Sequence, residues 1–510
     1  MHALRRWSVR HARGWRRAYA LFERCAPALA PLARLIGARR AESLLRPIER
    51  SAKSMLFDCR MCGQCVLSST GMACPMNCPK QLRNGPCGGV RSDGGCEVEP
   101  AMRCVWLEAI DGARAMAGGD AARLEAGMPA LAPLDHRRRG RSAWLAVVTG
   151  EGGAAAIAAE VDPAEAIAAE ASPAEAGPGG ARCESARGEP QAAQPGSAVR
   201  DAQGEIGPFE AACRAGRFVV TVEVAPPDSA DPAALVARAA RFEGLVDAIN
   251  ITDGAGGNCH MSSVAASAIL AAHGLTPVYQ IACRDRNRIA IQGDLLGAAA
   301  LGVRNILCLT GDDVSQGDHP EAKAVFDLDA VSLLRVARGM CERGQYASGR
   351  KLERAPRLFI GATANPFVPP YAERVLNLRK KIDAGARFIQ TQFCFDVRLL
   401  EDFMREVRAQ GLHRRASILV GVGTLGSAKA LRWMARHVPG IHVPEALLAR
   451  IARAGDQKAE AARACVETIR EIAGIEGVAG VHVMGHRNED VLAGIIVESG
   501  LRQRAGLRTA

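Results

Sequence analysis

The sequence predicts an α/β chain: a (β/α)8 TIM barrel preceded by a small Cys-rich metal-binding domain and a disordered linker. Three observations predict it. From residue 217 onward, eight short β-branched runs alternate with helical stretches. Eight cysteines crowd into the 46 residues from Cys59 to Cys104, with no histidine among them. Between the two lies an Ala-, Gly-, Pro- and Glu-rich stretch with a near-exact ten-residue repeat, AIAAEVDPAE (156–165) and AIAAEASPAE (166–175).

Residues 1–55 read as two or three basic helices, broken near Pro27, Pro31 and Pro47. The first 20 residues hold six arginines (Arg5, Arg6, Arg10, Arg13, Arg16, Arg17) and no acid. Such an arm suits a solvated helix face, a docking helix or an anionic partner. Aromatic content of 4% argues against a base-stacking platform, so no nucleic-acid partner is expected. No apolar run reaches the roughly 18 residues of a membrane span. No secretory apolar segment or cleavage site stands at the N-terminus. The expectation is a cytoplasmic chain with reduced thiols.

Residues 56–125 form the Cys-rich module. Dense disulfide knots belong to secreted chains, so thiolate ligands are expected instead. Cys59, Cys62 and Cys65 form C-x2-C-x2-C, the opening of a bacterial ferredoxin-type run. Cys74 and Cys78 each precede a proline, Cys87 precedes a glycine pair and Cys96 follows one. Backbone that tight suits amides aimed at sulfide or thiolate. With Cys104, the eight thiolates make two four-cysteine sets: two [4Fe–4S] clusters, or one cluster and one zinc ion. The fourth ferredoxin cysteine, expected three residues on, is absent, so the metal is left open.

Composition assigns residues 126–210 to the linker, and Cys183 within it reads as incidental. Residues 211–505 carry the barrel. Its strands are expected at 218–224, 247–252, 277–283, 305–310, 357–363, 388–393, 417–422 and 480–484, with helices between them, for example at 370–385, 397–410 and 444–474. A doubly wound open sheet is the alternative, weakened because no G-x-G-x-x-G follows the first strand.

In such a barrel the chemistry sits at the C-terminal strand ends. Those ends carry Glu223, Thr252, Asp253, Gln280, Asp312, Asp313, Asn365, Gln392 and His482. Glu223 stands out. Flanked by Val222, Val224, Ala225 and two prolines, its carboxyl group should be partly desolvated, the condition that makes a general acid.

These strand-end motifs resemble the methylenetetrahydrofolate reductase family. VTVEVAPP matches the family's first-strand motif, with Glu223 on its acidic residue. INITDGAGG matches the flavin-contacting second-strand motif, with Thr252 on its threonine. LTGDD resembles Leu-Arg-Gly-Asp, bringing in Leu309, Gly311 and Asp312. VLNLRKKIDAGARFIQTQFCFD is the most specific stretch, with Asn377, Lys380 and Lys381 on flavin-phosphate and ribose positions and Gln392 on the pterin-binding glutamine. Arg487 in MGHRNE falls on a substrate-binding position.

The resemblance implies FAD, with FMN as the alternative, and interconversion of 5,10-methylenetetrahydrofolate and 5-methyltetrahydrofolate. It makes Glu223 the acid that protonates the substrate nitrogen, and Asp312 the carboxylate that faces folate and flavin. The sequence departs from the family at Gln280 (a flavin-contacting histidine), Thr310 (the arginine), Asn365 (a tyrosine) and Leu425 (the folate-stacking aromatic). NAD(P)H and a ferredoxin-type donor therefore both stay open.

DCRMCGQCVLSSTGMACPMNCPKQLRNGPCGG resembles a zinc- or iron–sulfur-binding domain known as the C-terminal type of the same reductase. In some anaerobes that domain is a separate partner subunit. The expected partners are a tetrahydrofolate substrate, an electron-donor protein or a methyltransferase, and a second copy of the chain. The competing reading is a non-catalytic, metal-bearing folate-binding adaptor.

Overall fold

The computed structural model describes residues 2–150, 206–438, 440–485 and 488–502. Eight parallel strands close into a barrel in chain order. They are β1 (Val219–Val224), β2 (Ala248–Ile251), β3 (Pro277–Ala282), β4 (Asn305–Leu309), β5 (Phe359–Ala364), β6 (Phe388–Phe393), β7 (Ser417–Gly423) and β8 (Val478–Met484). The β1–β8 pairing, with Thr221 beside His482, completes the ring. Outward side chains such as Val220, Val222, Ile249 and Ile281 pack under the surrounding helices, so both faces of each strand are buried, as parallel sheets require.

The inward side chains form layers, because every second residue of a strand points inside. The lowest layer is apolar. Val219, Ala248, Val278, Leu307, Phe359, Phe388 and Leu419 pack with Phe209, from a helix (Pro208–Arg214) that plugs the barrel floor. The next layer is polar: Thr221, Asn250, Gln390 and His482, all buried. Glu223, Thr252, Gln280 and Gln392 stand one step further up, at the mouth. β1 alone reads Val219, Thr221, Glu223 through these layers.

The expected helix at 370–385 is Arg374–Asp383, and the expected 444–474 helix is two, Glu445–Arg453 and Gln457–Ala473. The break comes where Asp456 accepts the Ala459 amide and caps the second helix.

The N-terminal region forms α1 (His2–Arg10), α2 (Ala12–Cys25), α3 (Ala30–Ile36) and α4 (Ala38–Phe57). Pro47 does not break α4, which runs through it. Arg5 of the basic arm is buried in an ion pair with Glu108 (2.9 Å) on α5 (Val105–Ala117), so part of the arm is core rather than surface. The cysteine module has little regular structure beyond α5 and two isolated bridges. Gly112 of α5 touches Gly71: a Cβ there would meet the Gly71 carbonyl oxygen at 1.9 Å.

Residues 127–150, assigned to the linker by composition, fold onto this module. Leu131 and Asn84 exchange hydrogen bonds of 2.7 and 2.9 Å. A helix at Ala143–Thr149 is capped by Ser142 and buries Leu145, Val147 and Val148. Apolar residues spread among alanines, prolines and arginines hid this segment. Among the described residues, no helix is long and apolar enough to cross a membrane, and the cysteines are free.

Candidate active site and cysteine sets

Beneath the barrel mouth the polar layer is fully connected. Asn250 and Gln390 pair their carboxamides across the barrel, at 2.7 and 3.0 Å. Gln390 Nε2 also reaches Thr221 Oγ1 at 3.1 Å, and Thr221 Oγ1 lies 2.9 Å from His482 Nδ1. Gln390 Nε2, a donor, also lies 3.3 Å from His482 Nδ1, so Nδ1 is surrounded by groups able to donate to it, an arrangement that suits the tautomer with its proton on Nε2. That nitrogen faces Glu223 Oε2 at 3.9 Å, and Gln280 Nε2 donates to the same oxygen at 3.4 Å. The Glu223 side chain is 27% exposed, so it is less withdrawn from water than its apolar neighbours in sequence suggest. It is a carboxyl group open to a ligand above and backed by a buried imidazole below.

Thr252 follows β2 with its hydroxyl buried and without a hydrogen-bond partner. Asp253 beside it is structural, accepting from the Ala282 amide (2.8 Å) and Arg286 (2.6 Å). The Asp312 carboxylate accepts from the Gly256 amide at 2.8 Å, tying the β4 loop to the β2 loop. Gly311 holds φ +96°, and a Cβ there would meet Arg284 Cβ at 2.8 Å, so only glycine makes this turn. Leu309 lines the barrel just below. Gln392 is partly buried, its Oε1 accepting from the Phe393 amide. Arg487 lies outside the described residues.

Of the remaining cofactor candidates, Asn377 and Lys380 face the cysteine module and Lys381 turns to the barrel. Asn377 donates to Gly85 O at 3.4 Å, Lys380 sits over the Trp106 ring, and Lys381 donates to Thr363 O at 2.6 Å. Burial pushes both lysines down to about 8. It pushes Arg374, on the same helix, down to about 10 against the pull of Cys87 and Cys104.

The eight cysteines separate into two sets of four. Cys59, Cys62, Cys65 and Cys74 line one small cavity. Cys78, Cys87, Cys96 and Cys104 line another. Burial pushes up Cys59 (to about 11), Cys62 and Cys74 in the first set, and Cys78 (to about 12), Cys87 and Cys104 in the second. Each set adjoins a buried Lys–Glu pair at 2.5 Å, Lys53–Glu49 for the first and Lys80–Glu97 for the second. Among the described residues, no group of three or more His, Cys, Asp and Glu is already drawn together to hold an ion: the sulfurs ring cavities.

Several residues that join module to barrel escape a strand-end reading. Asp329 caps a barrel helix by accepting from the Ser332 amide, and it also accepts from the Arg83 (3.1 Å) and Asn84 (2.9 Å) amides of the module. Asn365, expected at the site, donates to Gly88 O and Gly440 O. Arg374 donates to Cys87 O at 3.1 Å. Lys80 reaches Gly311 O at 2.7 Å. Asp329 sits one residue before a helix, so its capping role was readable; its second role was not.

Residues 208–500 match the family model described as methylenetetrahydrofolate reductase. Residues 39–129 match one described as methylene-tetrahydrofolate reductase C terminal. A probable methylenetetrahydrofolate reductase (NADPH) of Caenorhabditis elegans is 27% identical over 191 residues, 37% of this chain and 26% of that protein. A 5,10-methylenetetrahydrofolate reductase of Pectobacterium carotovorum subsp. carotovorum is 29% identical over 175 residues, 34% of this chain and 51% of that protein. The chain thus spans about half or less of these relatives. A solved, uncharacterized Clostridium thermocellum protein that binds two copies of 5-methyl-5,6,7,8-tetrahydrofolic acid is similar at a TM-score of 0.42 and 12% identity, over 57% of this chain and 98% of that one. That likeness is too distant to bear on function.

Proposed function

This chain belongs to the methylenetetrahydrofolate reductase family, and from that premise we propose that its barrel interconverts 5,10-methylenetetrahydrofolate and 5-methyltetrahydrofolate. The observation that carries the reading is Glu223, open at the mouth and backed by His482 Nε2 at 3.9 Å. Opening a methylene bridge between two amine nitrogens requires a proton at the leaving nitrogen. Glu223 is placed to deliver that proton. The Thr221–Gln390–Asn250 layer keeps the imidazole in the tautomer that faces Glu223. Gln392 binds the pterin edge, and Asp312 favours cationic character at the one-carbon unit.

A flavin fits the ring end of this mouth, where the orphaned Thr252 hydroxyl and the Gln280 carboxamide would hold it. Bound there, it supplies hydride exchange with the one-carbon unit. At the other end, Asn377 donates to Gly85 O and Lys380 sits over Trp106, so the flavin's phosphate would meet residues already held by the cysteine module. The two four-thiol sets suit [4Fe–4S] clusters or zinc by donor chemistry. Clusters at both sets would make the module the route by which electrons reach the barrel.

Glu223→Gln tests the reading. Turnover of 5-methyltetrahydrofolate with a dye acceptor should fall about 10²–10⁴-fold, while folate binding by equilibrium dialysis stays. A variant that turns over like the parent rules the assignment out.

A further inference from the structure

We infer that the cysteine module completes the barrel's active site through Lys80, a positioning residue for the β4 loop that carries Gly311 and Asp312. This rests on the folate reading and adds a residue from outside the barrel. Lys80 lies between Cys78 and Cys87 in the chain, and its side chain is 4% exposed. Its ammonium group donates to Gly311 O at 2.7 Å, pairs with Glu97 at 2.5 Å and sits over the Phe326 ring at 5.5 Å.

Two of those contacts point in opposite directions along one path. Toward the barrel, Lys80 fixes the carbonyl of Gly311. The next residue, Asp312, spans to the Gly256 amide of the β2 loop. Toward the module, Glu97 Oε1 lies 3.6 Å from Cys87 Sγ. Glu97 and Lys80 therefore span from the second cysteine set to the loop that carries Asp312. The LTGDD turn supplies no lysine or arginine of its own, since Thr310 precedes Gly311; beside the barrel's Arg284, which packs against Gly311, Lys80 adds a cation from the module. A buried ammonium on a loop carbonyl holds that loop more firmly than a neutral donor would, and small misplacements at a reacting centre are costly.

The test compares full-length parent protein with Lys80→Met, Lys80→Arg and Glu97→Gln. Three things are read: kcat and KM for 5-methyltetrahydrofolate oxidation with a dye acceptor, metal content, and amide hydrogen exchange at 311–313 and 255–257. Lys80→Met should lower kcat/KM about ten- to a hundredfold and speed exchange in both loops, with metal content kept. Lys80→Arg should restore most of both losses, and Glu97→Gln should fall between. Parent-like kinetics and exchange in Lys80→Met would overturn the inference. So would a loss that Arg does not rescue and that tracks metal loss, since Lys80 would then only staple the module. Should the parent itself fail to oxidise 5-methyltetrahydrofolate, the folate reading fails, and the exchange data still decide whether Lys80 orders the β4 loop.

Discussion

The two cysteine sets are built alike and placed differently. Each rings a cavity with four thiols, and each has a buried Lys–Glu pair beside it. Around Cys59, Cys62, Cys65 and Cys74, the partners stay within the first 150 residues: Glu49, which pairs with Lys53, also accepts from Ser142 Oγ at 2.5 Å and from the Trp144 amide at 3.1 Å. Around Cys78, Cys87, Cys96 and Cys104 they cross into the barrel, through Lys80 to Gly311 and through Cys87 O to Arg374. Two sets of four thiols thus meet different surroundings: contacts beside the first stay within the helical segment, and contacts beside the second reach the barrel.

That contrast is open to test from either side. The largest difference is expected between Cys87→Ser and Cys62→Ser. Both should lose the metal of one set. Cys87→Ser should also slow dye-linked turnover more than about tenfold, because its loop backs the β4 loop. Cys62→Ser should lower thermal stability and leave the barrel's turnover close to parental. Equal losses in both variants would erase the distinction.

Next in size is Asp329→Ala, which removes the carboxylate shared by the Arg83 and Asn84 amides and the Ser332 cap. Unfolding in urea, followed by amide hydrogen exchange in 59–104, should show the module released early, at a cost of about 3 kcal/mol.

Smallest is Lys380→Met, a change with a defined pH signature. Burial lowers Lys380 to about 8 from 10.5. Below pH 8 the lysine is charged in both folded and unfolded chains, and the folded state bears the desolvation cost. Between about 8 and 10.5 the folded chain has released the proton while the unfolded chain retains it, so rising pH favours folding. Lys380→Met in flavin-free protein should therefore be more stable than the parent by about 1–3 kcal/mol at about pH 7, with the gain fading as the pH rises toward the lysine's ordinary value. A gain that does not vary with pH would show that the lysine bears no such cost.

How far the sequence reveals each region follows from the same physics. The barrel was legible because period-2 apolar runs and strand-end polar residues are local signals. They point to Glu223, Thr252, Gln280 and Gln392 at the mouth and to His482, which lies one layer below them. Eight cysteines announced two sets, but their division into Cys59–Cys74 and Cys78–Cys104 became visible only once the chain was folded. Lys80, Asp329 and Asn365 were unreadable as joints between module and barrel, because each acts through a partner more than about two hundred residues away in sequence. Residues 127–150 were misassigned because Leu131, Leu134 and Leu145 follow no regular period.

The most direct test of the folate assignment is an anaerobic titration of the purified full-length protein with 5-methyltetrahydrofolate, read in the visible spectrum. The flavin band should bleach stoichiometrically as 5,10-methylenetetrahydrofolate forms, and the Glu223→Gln protein should bind the folate without bleaching. Bound flavin that stays oxidised at saturating 5-methyltetrahydrofolate in the parent protein would contradict the assignment.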